Sequence, residues 1–410
     1  MKYLIIGASA AGLAAAETLH KIYPTGQITI LEKERTQRYS RILLPYLLSG
    51  VVKEENIFLP EPAGAKILKG KEVIRVDSQK KEVTISTGEV FVFDKLLIAS
   101  GASPVIPQIK GADLPFVFTI RKLSDIQKMK KLVKTEKRAI IAGGGLVSMR
   151  VGEALYQLGM NVTFVIRSKR VLSQILDFPA STIVEKVLVK KGIEIIKDDE
   201  IIQITKGEIY LESGKRRKCA LVVFGKGVSP NVGFLTNSGI EIQRGIVVNE
   251  HQRTNIEDIY AAGDVVETLD IVYEDRRINA LWSVAREQGH IAAMNMTSIP
   301  IIYDGSVAWN VLEVFGLPIL TIGMGREEKP EVMREQGKEF YRKLVLDNGV
   351  LKGLIFIGDL KSGGLYLFLI KRKLDISSFI HPMLKNTFQY SNFAHRLFEG
   401  FPISIQSQKP

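Results

Sequence analysis

The feature that most constrains this chain is a short apolar strand that breaks into small residues and then becomes a helix. Tyr3-Leu4-Ile5-Ile6 runs into Gly7-Ala8-Ser9-Ala10-Ala11-Gly12, followed by Leu13-Ala14-Ala15-Ala16-Glu17. Such a turn suits a βαβ unit that cradles a dinucleotide. Gly7 permits the tight turn, small side chains at 8–11 let the backbone approach a pyrophosphate, and Gly12 allows close helix–strand packing. Phosphates would rest on the helix N-terminus, where unpaired N–H groups and the helix dipole favour negative charge. A second strand at 27–31 ends in Glu32, about 20 residues past the turn, where a carboxylate suits ribose hydroxyls. Ser9 stands where a middle glycine is usual. Lys2 and the apolar run after it also have the outline of a secretory leader.

A second unit of the same kind decides between these readings. The strand-like 138–142 enters Gly143-Gly144-Gly145-Leu146-Val147-Ser148, and a helix over 149–158 ends at Gly159, a C-cap signal. The next strand, 161–166, runs straight into Arg167-Ser168-Lys169-Arg170. One chain that binds two dinucleotides is most simply a flavoprotein exchanging hydride with a nicotinamide.

Composition narrows the setting. With one cysteine, Cys219, the chain has no internal disulfide framework and no Cys-x-x-Cys pair. Its 5 histidines are scattered without ligand spacing, so no metal site is expected. No apolar run reaches the roughly 18 residues of a membrane helix, and the expected location is cytoplasmic. The net charge of +12 points to an anionic partner, which nucleic acid, a membrane surface or an acidic protein would satisfy. The basic residues are dispersed, densest at 128–138, 167–170, 215–218 and 371–373, with no aromatic interleaving, which disfavours nucleic acid.

Three further segments sit in one order with the two turns. They are 221–231, containing Gly225-Lys226-Gly227-Val228-Ser229-Pro230-Asn231; 254–264, ending Tyr260-Ala261-Ala262-Gly263-Asp264; and 282–289, opening Trp282-Ser283-Val284-Ala285. With Ser100-Gly101-Ala102 they resemble the FAD-dependent pyridine nucleotide–disulfide oxidoreductase superfamily over roughly residues 1–320. Tyr39-Ser40-Arg41 and the stretch 345–359 are similar to its rubredoxin reductase and nitrite reductase flavoprotein branch. The resemblance implies an α/β fold with two Rossmann-like domains and a small α+β C-terminal domain. The FAD domain would take 1–115 and 240–318, the NAD(P) domain 116–239, and the C-terminal interface domain 319–410, through which a homodimer is expected.

Carried over to this sequence, Gly7, Ser9, Ala10, Ala11 and Gly12 would hold the FAD pyrophosphate and Glu32 the adenosine ribose. Arg41 and Pro45 would line the flavin, Val73 would meet the adenine through its backbone, and Ser100 and Gly101 would close over the dinucleotide with Arg121 nearby. Gly263 and Asp264 would take the ribityl chain, and the helix opening at Trp282 would aim its positive end at the reduced flavin. Gly143, Gly145, Leu146, Val147 and Gly227 would hold the NAD(P) backbone.

Departures from the family pattern decide the chemistry. The disulfide reductases carry a redox cysteine near the segment 39–45, and this chain has none there; Cys219 reads as structural. In the second turn Ser148 replaces a glycine, and Arg150 replaces a frequent glutamate. After the strand 161–166 an NAD site usually supplies a carboxylate. Here Arg167, Lys169 and Arg170 suit a 2′-phosphate, so NADP(H) is favoured over NAD(H).

The expected activity is hydride transfer from NAD(P)H to flavin N5, then single-electron exchange with an acidic iron–sulfur, ferredoxin- or rubredoxin-type protein, without a catalytic protein side chain. An NAD(P)H oxidase, a CoA-disulfide reductase-like enzyme and a nucleic-acid-binding redox flavoprotein are the alternatives. In the last domain, strands at 339–346 and 351–357 flank an Asp-Asn-Gly hairpin. A helix is expected at 364–371, and Phe379, Phe388, Tyr390, Phe393, Phe398 and Phe401 read as packing.

Overall fold

The computed structural model describes residues 1–328, 331–337 and 340–389, with Ser391 and Ala394. It divides into two compact units, residues 1–171 with 189–308, and residues 172–188 with 309–410. The first unit contains two parallel five-stranded sheets. In the first sheet the order is Ile259–Ala261, Lys95–Ile98, Lys2–Ile6, Gln27–Glu32 and Ala65–Lys69. Its registers are parallel throughout, Ile6 facing Ile98 on one side and Leu31 on the other. Residues far apart in sequence thus share one sheet, and the 254–264 segment comes to lie beside the opening strand's neighbour.

Both faces of this sheet are covered, as parallel strands buried on two sides require. On one face the helices Ala10–Ile22 and Trp282–Met296 pack together. Their contact is so close that a Cβ on Gly289 would lie 2.2 Å from the Ala11 carbonyl oxygen. On the other face Leu4, Ile6, Leu96 and Ile98 join Val76, Val83 and Ile85 of a small antiparallel sheet in one apolar cluster.

The second sheet runs Glu194–Ile196, Asn161–Val165, Arg138–Ala142, Leu221–Phe224 and Val117–Thr119, again parallel. Its edge strand, Val117–Thr119, is short. Three residues show no periodicity, and pairing with Leu221–Phe224 makes them a strand. The helix after the second turn spans Leu146–Gln157, starting earlier than position 149 because Gly145, in extended conformation, serves as its N-cap. Cys219 lies between the strands Arg216–Lys218 and Leu221–Phe224.

In the second unit an antiparallel sheet is ordered Trp309–Val314, Leu317–Gly323, Val350–Ile357, Tyr341–Asp347 and Glu331–Gln336. The Asp347-Asn348-Gly349 hairpin has positive φ at both turn residues, 49° at Asn348 and 77° at Gly349, the pair that matches strand twist in a two-residue turn. A helix follows at Gly363–Lys371. Tyr366 packs against Phe356 and Phe388. Glu339, Tyr390, Phe393, Phe398 and Phe401 lie outside the described residues.

Asp177 organises the rest of this unit. It accepts the Ala180 N–H at 3.1 Å, capping the helix Phe178–Lys190, and it accepts the Tyr341 hydroxyl at 2.6 Å. It also pairs with the fully buried Lys343 ammonium at 3.1 Å.

Candidate functional site

The first turn opens onto a cavity of about 1060 Å³. Gly7, Ser9, Ala10, Ala11, Glu32, Arg41, Val73, Ser100, Gly101, Arg121, Gly263, Asp264 and Trp282 all line it. Gly12 and Pro45 do not. Gly12 is buried where a Cβ would lie 2.0 Å from the Gly7 carbonyl oxygen, and Pro45 is buried in the helix Leu44–Ser49.

Each end of the cavity has its own chemistry. At the turn, Ser9 is the N-cap of Ala10–Ile22 but makes no side-chain capping bond, which leaves first-turn N–H groups for an anion. Glu32 is held rigidly: one carboxylate oxygen accepts the Ala8 N–H at 2.8 Å and the other the Glu34 N–H at 2.9 Å. Each oxygen keeps a lone pair for a hydroxyl.

Two guanidinium groups also face the cavity. Arg41 donates to Ser9 Oγ at 3.3 Å and pairs with Glu34, while its buried Nε has no partner. Glu34 in turn accepts the Tyr39 hydroxyl, and burial followed by that bond pushes the phenol up to about 12. Arg121 lies 3.5 Å from Asp264, and its pKa is lowered by burial and by the Arg41 charge. Two partly dehydrated cations and an uncapped helix end around one turn suit a pyrophosphate. A buried Nε without a protein partner is a donor that a phosphate oxygen would take.

Backbone crossings close the remaining side. Ser100 Oγ donates to the Asn231 carbonyl at 2.9 Å, and Asn231 Nδ2 returns a bond to the Ser100 carbonyl at 2.8 Å. Gly263 N–H donates to Gln288 Oε1 at 2.8 Å, fixing the turn before Asp264 to the helix Trp282–Met296. Sequence reasoning did not single out Glu34, Asn231 or Gln288 as site residues. Glu34 has no motif of its own, whereas Asn231 and Gln288 fall inside the segments 221–231 and 282–289.

The second turn lies apart from this cavity. Gly143, at φ 133°, allows the turn to pass the Gly225 carbonyl oxygen, 2.3 Å from where its Cβ would be. Gly145 begins the helix without a side-chain cap, Leu146 and the exposed Val147 form its first turn, and Gly227 stands in open space at φ 89°. Arg167 and Lys169 are exposed and Arg170 is partly buried. Arg167 lies 3.6 Å from Glu200, which also takes Lys226. Arg150 stands 5.4 Å from the Tyr46 ring centre and 3.2 Å from Glu153. Cys219 is buried among Ile209, Leu211 and Val222, and burial pushes its thiol up to about 11. No cysteine lines the large cavity.

Comparison with known proteins agrees with this geometry. Residues 1–289 match the model of the pyridine nucleotide–disulphide oxidoreductase family, and residues 309–374 match the rubredoxin NAD+ reductase C-terminal domain. The chain is 29% identical to the NADH-dependent phenylglyoxylate dehydrogenase subunit epsilon of Aromatoleum evansii, covering 92% of this chain and 93% of that one. It is 29% identical to the nitrite reductase [NAD(P)H] of Bacillus subtilis over 91% of its own length, but spans only 48% of that protein. The solved NADH:rubredoxin oxidoreductase of Clostridium acetobutylicum superposes with a TM-score of 0.78 at 27% identity, over 94% of this chain and 99% of that one. No helix among the described residues is long and apolar enough to cross a membrane. With its two Gly-rich turns, its parallel sheets and a family match over most of its length, the chain belongs to the pyridine nucleotide–disulphide oxidoreductases, as an FAD-dependent NAD(P)H oxidoreductase.

Proposed function

We propose that this protein moves electrons between a nicotinamide dinucleotide and a small iron–sulfur protein of rubredoxin or ferredoxin type, through FAD and without a redox-active cysteine. The observation that carries this reading is the single cavity that joins Glu32, Arg41, Arg121 and Asp264 and contains no thiol. Bound FAD supplies two-electron exchange with nicotinamide and one-electron exchange with the partner. The chain's own residues do the holding. Arg41, which the resemblance puts against the flavin, bonds Ser9 at the turn and so takes the pyrophosphate with Arg121 and the first-turn N–H groups, while Glu32 takes the ribose and Asp264 the ribityl hydroxyls. The helix at Trp282–Met296 presents its positive end to the ring that gains negative charge.

In this reading residues 1–115 and 240–318 form the FAD domain, 116–239 the nicotinamide domain and 319–410 an interface domain for a homodimer. The rubredoxin-reductase match over 309–374 supports that last assignment. Arg167, Lys169 and Arg170 favour NADP(H), although the relatives named above act with NADH or NAD(P)H. The net charge of +12 suits an acidic partner, steering its approach.

The test is an anaerobic titration of the yellow protein with NADPH and, separately, NADH, followed by addition of an acidic rubredoxin or ferredoxin. Bleaching of the flavin and its recovery on adding the oxidised iron–sulfur protein are expected. Recovery by oxygen alone, at a rate equal to turnover, would give an oxidase instead. A protein that cannot be reconstituted with FAD would end the proposal.

A further inference from the structure

Among the strands of the second sheet, Asn161–Val165 and Leu221–Phe224 flank Arg138–Ala142, whose end carries the Gly143–Gly145 turn. Dinucleotides cross such sheets at the carboxyl ends of the strands. Arg167 follows the strand on one side of the turn, and Lys226 follows the strand on the other. One carboxylate joins them: Glu200 lies 3.6 Å from Arg167 and also contacts Lys226. Its place is set by the backbone, because Asp199 N–H donates to the Ile166 carbonyl at 3.2 Å.

Neighbouring acids do not share this position. Asp199 is consumed by Ser213, whose hydroxyl donates at 2.6 Å and whose N–H donates at 3.2 Å. Asp198 has no ion pair among the described residues. The strand after the second turn therefore lacks an acid of its own, and the loop before Ile201–Thr205 brings one to its end.

We propose that Glu200 sets which nicotinamide dinucleotide this chain accepts, by engaging Arg167 and Lys226 and placing a carboxylate where the adenosine ribose is read. A ribose 2′-hydroxyl donates to that carboxylate, whereas a 2′-phosphate is repelled by it and must take Arg167 from it. Of the three cations after the strand, Arg167 joins a phosphate clamp only to the extent that Glu200 releases it. The inference rests on the nicotinamide reading of the second turn, and it holds whichever nucleotide the wild type prefers.

The test measures binding by calorimetry, with adenosine 2′,5′-bisphosphate and 5′-AMP as probes on the FAD-loaded protein. Glu200→Gln is expected to tighten the bisphosphate about threefold to fivefold while 5′-AMP changes by less than about 1.5-fold, the size of one largely exposed charge–charge contact. In the Glu200→Gln background, Arg167→Ala should remove most of that gain, since the two residues form one coupled pair. Asp198→Asn should leave both affinities unchanged. If Glu200→Gln lost its fold, Glu200→Asp, which withdraws the charge by one methylene, should still tighten the bisphosphate in the same direction. Equal changes for both probes, or none, would overturn the role of Glu200 while leaving the nicotinamide reading intact. Failure of the wild type and every variant to bind either probe or to be bleached by either nucleotide would remove the nicotinamide reading, and this inference with it.

Discussion

The Tyr39 hydroxyl donates to Glu34 across 2.7 Å, and Glu34 in turn pairs with Arg41. The phenol is braced from the other side, because its oxygen accepts the Leu123 N–H at 3.1 Å. Arg41 is therefore aimed at Ser9 by Glu34, which is itself held by Tyr39, a residue that does not line the main cavity. Its long side chain loses little further freedom when an anion arrives, which is the advantage of holding it beforehand.

Glu34→Gln is accordingly expected to weaken FAD retention about fivefold to tenfold, since a charge-assisted bond becomes a neutral one. Tyr39→Phe should act in the same direction and also leave the Leu123 N–H without its acceptor. Recovery of flavin fluorescence quenching on titrating apoprotein with FAD measures both. Unchanged dissociation constants would mean that Arg41 is held by the ligand alone.

Cys219 is expected to ignore thiol reagents at pH 8 in the folded protein and to react fully in denaturant, because burial raises its pKa to about 11. The sign for stability follows. The unfolded thiol ionises near ~8.5, so the folded state retains its proton longer, and its stability contribution falls as pH rises from that value through about 11. Cys219→Ala should keep full electron transfer and cost roughly 1 kcal/mol of stability. Loss of activity in that variant would reopen a thiol mechanism.

Breaking the buried pair at Asp177 should be costly. Asp177→Ala strands the Lys343 ammonium, which is 0% exposed, and removes both the acceptor of Tyr341 and the cap of Phe178–Lys190. A loss of about 3–5 kcal/mol is the usual result of removing one partner of a buried ion pair. Glu328, at 3.1 Å from the same ammonium but half exposed, compensates only in part. Chemical denaturation reads the difference, and a change under about 1 kcal/mol would show that water takes over the pairing.

Electron transfer to an acidic iron–sulfur protein should slow steeply as salt rises from roughly 50 to 300 mM, as screening shortens the reach of steering. Stopped-flow rates at fixed flavin reduction test this apart from nicotinamide binding. A rate indifferent to salt would remove the net charge from the argument about partners.

The sequence by itself determined the elements whose physics is local. Gly7 and Gly143 are needed where the backbone passes carbonyl oxygens at 2.3 Å from a would-be Cβ, and such turns announce themselves within six residues. The family resemblance rests on the same kind of short pattern, and so does the Asn348-Gly349 hairpin. The tertiary structure alone decided which distant side chains meet. Val117–Thr119 becomes a strand only because Leu221–Phe224 lies beside it. Glu200 bridges Arg167 and Lys226, and Asp177 receives Lys343, and in each case no spacing marks the pair. Backbone patterns repeat over a few residues and can be read along the chain. A charge finds its partner through the crossover of strands, which no single stretch of sequence contains.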